Sequence, residues 1–400
     1  MRRFIFIIGL YFITTLILLQ GCTSVENEDI FENPFEGIPI IEVRDTFDIT
    51  DEDAVGTGEF SFRSNFFHHM MIDNRGHFFV FNRGGESIYH FDENGEYLGS
   101  VGRSGQGPGE FQGWPVFDTA SNDTLYTLNR ANMIISRFVN NSGEWNYDYG
   151  FTLNSKEDYV PGKILQADQN HLIIEYIPNM SILMNKQDNF EQLTKSYDLL
   201  TTSGEIVKQN WLATQASERS VYKGQGGAGA VHMLPYGGRS FMKPGPDQSL
   251  YHLWSREFNV HIYNIDGNRT DSLSLLGINQ KLSNELREAA VKETVRMNMG
   301  TQSEQQALEQ QMLDEIPQSA PALKDFHVDR DTGFIIVRRF IFEEQSNWML
   351  IDNEGSRVGA FHLDENLNVY DFRNGVILGS LNDDDSLPTI RVVKLSDSIL

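Results

Sequence analysis

The stretch FFHHMMIDNRGHFFVFNRGGESIYHFDENGEYLGSVG, residues 66–102, contains four short runs of β-forming residues separated by turns. Two of the turns, Asp73–Gly76 and Asp92–Gly95, place Asp and Asn next to a closing glycine. Such turns favour tight hairpins because these residues tolerate positive φ angles. Four short antiparallel strands are the unit from which the blades of a β-propeller are built. The stretch therefore predicts an all-β fold made of blades.

The turn between the third and fourth runs recurs along the chain. Its glycines are Gly95, Gly143, Gly204, Gly267 and Gly355. Repeats of short strands point to a propeller, and five such turns predict five complete blades. The C-terminal part supplies three more strands, at 367–372, 376–381 and 389–395, and residues 38–49 offer the missing outer strand. We therefore predict a six-bladed β-propeller over residues 38–400, closed by its N-terminal strand so that no sheet edge stays open.

Two stretches interrupt the blade pattern. Residues 279–316, between the fourth and fifth blades, carry apolar residues at helical spacing and predict a helical insertion. Residues 212–238 are rich in glycine and are interpreted as an irregular loop. Both stretches join an outer strand to the next inner strand, and such connections share one face of a propeller, called here the top face. The helical insertion is therefore a candidate surface for a protein partner, the alternative being that it only covers apolar residues.

The N-terminal residues have a different character. Residues 1–21 combine a basic start with an apolar run, the layout of a secretory signal peptide. The end of this segment, Leu-Gln-Gly followed by Cys22, resembles a bacterial lipoprotein signal, which implies lipidation of Cys22 and a membrane anchor. Residues 22–37 are polar and acidic and are interpreted as a tether. We expect an exported protein anchored by lipid in the cell envelope, in the outer membrane.

Residues 102–111, GRSGQGPGEF, follow the first outer strand. Together with the repeats, they resemble the blade junction of the six-bladed β-propeller lipoproteins of Bacteroidota and their relatives, which are akin to NHL-repeat propellers. The resemblance implies a six-bladed fold, a location in the cell envelope and packing of Phe111 between blades. It implies no particular activity.

Composition and motifs narrow the class of function. The net charge of −24 argues against nucleic acid as a partner. The glycines of residues 102–109 are not followed by the Lys-Ser/Thr pair of a phosphate-binding loop, and the chain lacks a Gly-x-Ser-x-Gly nucleophile motif before a helix. The sequence therefore favours a non-enzymatic binding protein with no cofactor.

Arginines recur in the connections that the propeller places on its top face. Arg83 and Arg130 hold equivalent positions in consecutive blades, each after an asparagine, and the further candidates are Arg103, Arg256 and Arg338. Guanidinium groups bind carboxylates and phosphates through paired hydrogen bonds. We expect this face to bind an anionic small molecule, a glycan or a peptide. The alternative is that the arginines pair with neighbouring acids and rigidify the loops.

Histidines provide a second hypothesis. His68, His69, His232 and His327 come from different blades or loops and would converge on a divalent metal at the channel mouth, as in some NHL-like lyases. In that case the protein would be a hydrolase or a lyase. The histidines do not form a closely spaced ligand motif, and inner-strand histidines also serve as plain hydrogen-bonding residues. A third hypothesis is a pure interaction scaffold that uses the helical insertion.

Overall fold

The strands of this protein form six four-stranded antiparallel sheets. The computed structural model describes residues 37–50, 60–62, 67–82, 85–121, 123–168, 170–185, 193–223, 229–275, 279–296, 301–321, 323–339, 346–381 and 388–396. The predicted signal peptide, Cys22, the predicted tether up to residue 36 and Arg83 lie outside the described residues.

Each of the first five sheets consists of four strands in chain order. The first blade contains β2 (Phe67–Ile72), β3 (Phe78–Asn82), β4 (Ile88–Phe91) and β5 (Tyr97–Val101). The second contains β8 (Val116–Ser121), β9 (Thr124–Asn129), β10 (Ile134–Asn141) and β11 (Glu144–Thr152). The third contains β12 (Tyr159–Ala167), β13 (His171–Pro178), β14 (Thr194–Thr201) and β15 (Ile206–Gln215).

The later blades repeat this plan. The fourth contains β18 (Ser240–Pro244), β19 (Leu250–Trp254), β20 (Asn259–Tyr263) and β21 (Arg269–Ser274). The fifth contains β24 (Leu323–Val328), β25 (Ile335–Arg339), β26 (Ser346–Ile351) and β27 (Arg357–Leu363). The five turn glycines of the repeat all have positive φ, from 80° to 96°, which confirms the hairpin turns.

The sixth blade joins the two ends of the domain. It contains β28 (Leu367–Arg373), β29 (Val376–Leu381), β30 (Thr389–Leu395) and, as its outer strand, β1 (Val43–Thr50). Strand β1 pairs with β30 along its length, and Arg391 donates two hydrogen bonds of 2.7 Å to Asp48 across this pair. The N-terminal strand therefore fills the position that the C-terminal strands leave open.

The first strand of every blade lines the central channel. These strands contact one another in the closed ring β2, β8, β12, β18, β24, β28 and back to β2. All of them start at the top face, because the connections from the preceding blades arrive there. Large apolar side chains pack between adjacent blades; Phe111, for example, lies in one cluster with Phe81 of the first blade and Phe138 of the second. A Cβ atom at Gly102 would approach Phe111 to 2.4 Å, so this junction requires glycine.

Short strands and helices lie in the connections between the longer strands. They are the parallel pair β6 (Arg103–Ser104) and β7 (Glu110–Phe111), the hairpin β16 (Arg219–Lys223) and β17 (Gly229–Met233), the pair β22 (Gln280–Lys281) and β23 (Ser319–Ala320), and the helices α1 (Met180–Asn185), α2 (Asn284–Arg296) and α3 (Gln302–Glu315). None of the helices among the described residues is long and apolar enough to cross a bilayer.

Residues 224–228 of the glycine-rich stretch 212–238 lie outside the described residues; for most of the described remainder, the prediction of an irregular loop was wrong. Strand β15 continues to Gln215, and β16 and β17 then form a regular antiparallel hairpin. The hairpin packs on the helices: Gln311 of α3 donates a 2.8 Å hydrogen bond to the carbonyl of Val221. Ser220 and Val221 are both fully buried, so packing against the helices, and not the glycine content, decides the local structure.

Candidate anion site at the channel mouth

A cavity of about 540 Å³ lies at the top end of the channel. It is bounded by residues of β18, β24 and β28, by the end of β25 and by the connection that precedes β28, and Lys163 of β12 also lines it. A smaller cavity of about 60 Å³ lies farther down, against the second halves of β2, β18 and β28. The upper cavity is thus a recess on the top face between the fourth, fifth and sixth blades.

Positive side chains outnumber negative ones around this recess. Its basic residues are Lys163, Arg239, Lys243, Lys324 and Arg338, and its carboxylates are Asp325 and Glu365. The chain as a whole has a net charge of −24, so this excess of cations is local. Positive charges gathered in a concave wall concentrate the field and attract anions.

Burial makes the charged forms of these cations costly. It lowers the pKa of Lys163 to about 8, and it also lowers the pKa values of Lys243 and Arg338. The pKa of Lys324 is lowered in the same way, chiefly by partial desolvation, although this side chain also reaches solvent at the rim. Arg338 further lowers the pKa of Lys324 by repulsion. An anion placed among these groups would offset both the burial and the repulsion, so the free site is electrostatically prepared for one.

Lys243, His327 and Asp325 form a chain of side chains in the wall of the recess. The Nζ atom of Lys243 lies 3.2 Å from Nδ1 of His327. The other ring nitrogen, Nε2, lies 3.2 Å from Oδ1 of Asp325. Burial lowers the pKa of His327, which keeps the ring neutral and able to accept a hydrogen bond. An ammonium group only donates, so Nδ1 accepts and the ring proton is on Nε2, which lies within ion-pair range of the carboxylate but makes no hydrogen bond of good geometry to it.

The bottom of the channel is closed by ion pairs. Arg330 of the fifth blade pairs with Asp118 of the second, which lies on the opposite side of the ring, so its side chain spans the channel. Arg373 donates hydrogen bonds of 2.8 and 2.7 Å to Asp331. Asp371 accepts a 2.8 Å bond from the backbone N–H of Ile72. A ligand would therefore enter from the top face.

The structure places the candidate arginines of the sequence in different settings. Arg338 lines the recess. Arg256 donates hydrogen bonds of 3.0 and 2.9 Å to Glu218, and a 3.1 Å bond to the carbonyl of Tyr236, so it fastens two connections together. Arg256 therefore matches the alternative in which an arginine pairs with an acid and rigidifies the loops. Its partner Glu218, however, is 38 residues away in the sequence.

The two remaining described arginines lie away from the recess. Arg103 is 77% exposed and bonds to Glu110 at 2.7 Å within the blade-junction motif. Arg130 is exposed in the turn between β9 and β10. The arginine set thus does not converge, because equivalent positions in different blades are spread around the circumference of the ring.

The candidate histidines also lie apart. His69 donates from Nε2 to the carbonyl of Phe117 at 2.9 Å, and burial lowers its pKa to about 3. The ring of His68 faces Trp114, at 5.7 Å between centroids, and His232 lies on the hairpin strand β17. Within the described parts of the chain, no three His, Cys, Asp or Glu side chains are grouped as metal ligands. The histidines act here in hydrogen bonding and packing, with His327 alone beside the recess.

Comparisons with known proteins support the architecture. Residues 68–231 match the model of a family, DUF5128, that is described as a 6-bladed beta-propeller. The chain is a six-bladed β-propeller. No curated protein matches it significantly.

Solved structures similar to this propeller have low sequence identity to it. A member of the DUF4221 family from Bacteroides vulgatus has 8% identity and a TM-score of 0.49, over 89% of this chain and 97% of that one. A gluconolactonase from Xanthomonas campestris has 11% identity and a TM-score of 0.44, over 90% and 95%. Virginiamycin B lyase from Staphylococcus aureus has 9% identity and a TM-score of 0.43, over 88% and 99%. Identities this low say nothing about a shared ligand or reaction.

The lysines of the recess were missed by reasoning from sequence. Lys163, Lys243 and Lys324 lie on first strands of their blades, in segments such as SFMKP and LKDFHV. Their position on an inner strand could have identified them, because a charged residue on the inner strand of a blade faces the channel or its mouth. Searching the inner strands for charges would have found them, whereas recurrence of arginine in the loops did not.

Proposed function

We propose that this propeller is a non-enzymatic binding protein of the cell envelope that holds an anionic ligand in the recess at its channel mouth. The observation that carries the proposal is the excess of basic residues over carboxylates around the recess, in a protein of strongly negative net charge. Export and lipid attachment at Cys22 are part of the proposal and rest on the N-terminal sequence.

The size and lining of the recess indicate the class of ligand. Its volume of about 540 Å³ lies in the range of sites for small molecules. Phe241 and Tyr370 provide apolar surface, and Asn366 and Asn368 provide amides for neutral polar groups. A small organic acid or phosphate would fit whole, whereas a glycan or a peptide would insert an acidic end.

The test is a binding titration of the soluble propeller with sulfate, citrate, glucuronate and a short acidic peptide. We expect the double variant Lys324→Gln with Arg338→Gln to weaken binding at least about tenfold, because each charge-assisted hydrogen bond contributes roughly 1.5–3 kcal/mol. Binding should also weaken as salt is raised. Thermal unfolding of the variant should stay close to that of the parent, since Lys324 is exposed and Arg338 half-buried.

The matched control is Lys208→Gln with Arg357→Gln. These residues lie on the outer strands β15 and β27, so the control removes the same two charges without touching the recess. Equal weakening in both double variants would mean that net charge alone attracts the ligand, and the proposal would fail. Failure of all four probes to bind the parent protein would count against it as well.

The anchor has its own test. Cys22→Ser should release the protein from the membrane or stall its processing, since a multiply acylated cysteine holds a protein firmly to a bilayer. The measurement is fractionation of cells that express the parent or the variant. Unchanged maturation and membrane retention of the variant would contradict the lipid anchor and leave the anion site unaffected.

A further inference from the structure

One lysine of the recess contacts a side chain that can accept a proton, whereas two other lysines of the recess have different surroundings. Nζ of Lys243 faces the imidazole Nδ1 of His327 at 3.2 Å. Nζ of Lys163 lies 3.5 Å from the carbonyl of Met242, which accepts a hydrogen bond but does not take up a proton at ordinary pH. Lys324 is exposed at the rim. Of these three lysines, Lys243 is therefore the one whose Nζ contacts a side chain that can take up its proton.

We propose that Lys243 is an amine nucleophile that captures the carbonyl carbon of an anionic aldehyde or ketone, such as a 2-oxo acid, as a reversible imine. The proposal rests on the anion site proposed above and adds a covalent step to it. In this series of contacts Lys243 is the nucleophile, His327 is the base beside it, and Asp325 is the group that faces the base. Burial also lowers the pKa of the Lys243 ammonium, which favours the free amine.

The reaction balances without an oxidant or a reductant. His327 first accepts one proton from the Lys243 ammonium at Nδ1, and Asp325 stabilises the imidazolium that results. The amine lone pair then forms a C–N bond to the carbonyl carbon, while the electrons of the C=O π bond move to oxygen. A proton passes from nitrogen to this oxygen, and His327 returns its proton to the hydroxyl, which leaves as water. The product is a protonated imine, and hydrolysis runs along the same steps in reverse.

The surrounding charges select the substrate class. Arg239, Lys324 and Arg338 line the upper recess, whereas Lys243 lines both the upper and the lower cavity and so lies deeper. A molecule with its carboxylate among the upper cations would place an adjacent carbonyl group toward Lys243. Neutral aldehydes lack this attachment, so we expect an acid with a carbonyl at the neighbouring carbon to be captured in preference to them.

The experiment traps the imine by reduction. The soluble propeller is incubated with glyoxylate and sodium cyanoborohydride, its mass is measured, and the modified lysine is located by peptide mapping. We expect one adduct per chain on Lys243 and much slower labelling with neutral acetaldehyde. Labelling spread over surface lysines, or concentrated on Lys163 or Lys324, would overturn the proposal.

Variants separate the nucleophile from the proton acceptor. Lys243→Arg keeps the positive charge but has no free amine, so labelling at this site should vanish, while Lys208→Arg on the outer strand β15 should label like the parent. His327→Gln should slow labelling at Lys243 at least about tenfold, since general base catalysis contributes factors of 10² to 10⁴. A His327→Gln protein that labels at the parent rate would show that the imidazole takes no part.

Folding and the underlying anion site are checked independently. If Lys243→Arg does not fold, the peptide map of the parent protein and the His327→Gln rate still decide the matter. If the parent binds citrate or glucuronate in the recess but gives no adduct with glyoxylate, the covalent step is wrong and the anion site stands. If no anion binds, both proposals fail.

Discussion

The two ends of the central channel carry their charges in opposite arrangements. At the bottom, each of two arginines is paired with a carboxylate, Arg330 with Asp118 and Arg373 with Asp331, and Asp371 adds a further carboxylate. At the top, five lysines and arginines face two carboxylates. Both ends are built from the same six inner strands, so the difference lies in the residues and not in the backbone.

This difference separates structural charges from functional ones. A buried cation that is matched inside the protein contributes to the folded state and leaves nothing for a ligand to neutralise. An excess of buried cations lowers the stability of the folded protein, and this cost is offset only when an anion binds among them. We therefore expect substitutions at the bottom to change stability and substitutions at the mouth to change binding.

The largest effect is expected at the bottom, for Asp118→Asn. Asp118 is 1% exposed, and its removal leaves the Arg330 guanidinium without its main counter-charge. Breaking a buried pair costs roughly 3–5 kcal/mol, and we expect about 3 because Asp371 also attracts Arg330. The measurement is urea unfolding of parent and variant.

A second substitution shows whether the loss belongs to the pair. Adding Arg330→Gln to Asp118→Asn should cost less than the sum of the two single variants, because the uncompensated charge is then gone. Additive losses would mean that the two residues stabilise the channel independently. Weakened anion binding in the folded Asp118→Asn protein would contradict the separation of the two ends.

The next effect concerns an arginine of the top face that lies outside the recess. Arg256→Gln removes two hydrogen bonds to Glu218 and one to the carbonyl of Tyr236. We expect the free energy of unfolding to fall by roughly 1.5–3 kcal/mol, the range for hydrogen bonds to charged groups, with no change in anion affinity. Loss of affinity in this variant would extend the binding surface beyond the recess.

The fold was predictable from sequence because its signals are local. Each turn glycine lies three residues after the Asp, Asn or Thr that begins the turn, and each such turn marks one blade. The hairpin of β16 and β17 was missed because the glycines near residue 225 were given more weight than the β-forming pair Val221 and Tyr222. The short helix α1 was missed as well, since six residues are too few to show a helical period.

The site was predictable only in part because it is not local. Lys163, Lys243 and Lys324 come from three blades, and their meeting depends on ring closure and on the depth of each side chain. The sequence analysis named Arg338 because it lies near the end of a second strand, and such strands end at the top face. Arg256 was included for its loop position, but the ion pair with Glu218 joins residues 38 positions apart and has no sequence signature.

A smaller effect is the response of the channel mouth to pH, which depends on Lys163. The pKa of Lys163 is lowered to about 8, chiefly by burial, with Lys195, Lys243 and Arg330 adding repulsion and Glu175 opposing them. Above this pH the folded protein releases the proton, while the unfolded chain holds it up to its ordinary value of 10.5. The unfolded state then binds more protons, so the contribution of Lys163 to stability rises with pH in this window.

Anion binding should change in the opposite direction. As Lys163 loses its charge between about pH 7 and pH 9, affinity should fall, by up to about tenfold for one charge. The measurement is the pH dependence of citrate binding and of unfolding in the parent and in Lys163→Met. The variant should lose the Lys163-dependent part of both trends; identical pH profiles in the two proteins would show that Lys163 senses neither.

The smallest effect is expected for Arg103→Gln, which tests the outermost charge of the sequence-based set. Arg103 is 77% exposed and pairs with Glu110, whose carboxylate also accepts a 2.7 Å bond from the backbone N–H of Gly107. Exposed ion pairs contribute about 0–1 kcal/mol, so unfolding should change by less than about 1 kcal/mol. Anion affinity should not change, because Arg103 lies at the junction of the first two blades, away from the recess between the fourth, fifth and sixth. An Arg103→Gln variant with intact folding but weakened binding would show that the ligand is recognised around the ring, and the contrast between the mouth and the rest of the top face would have to be abandoned.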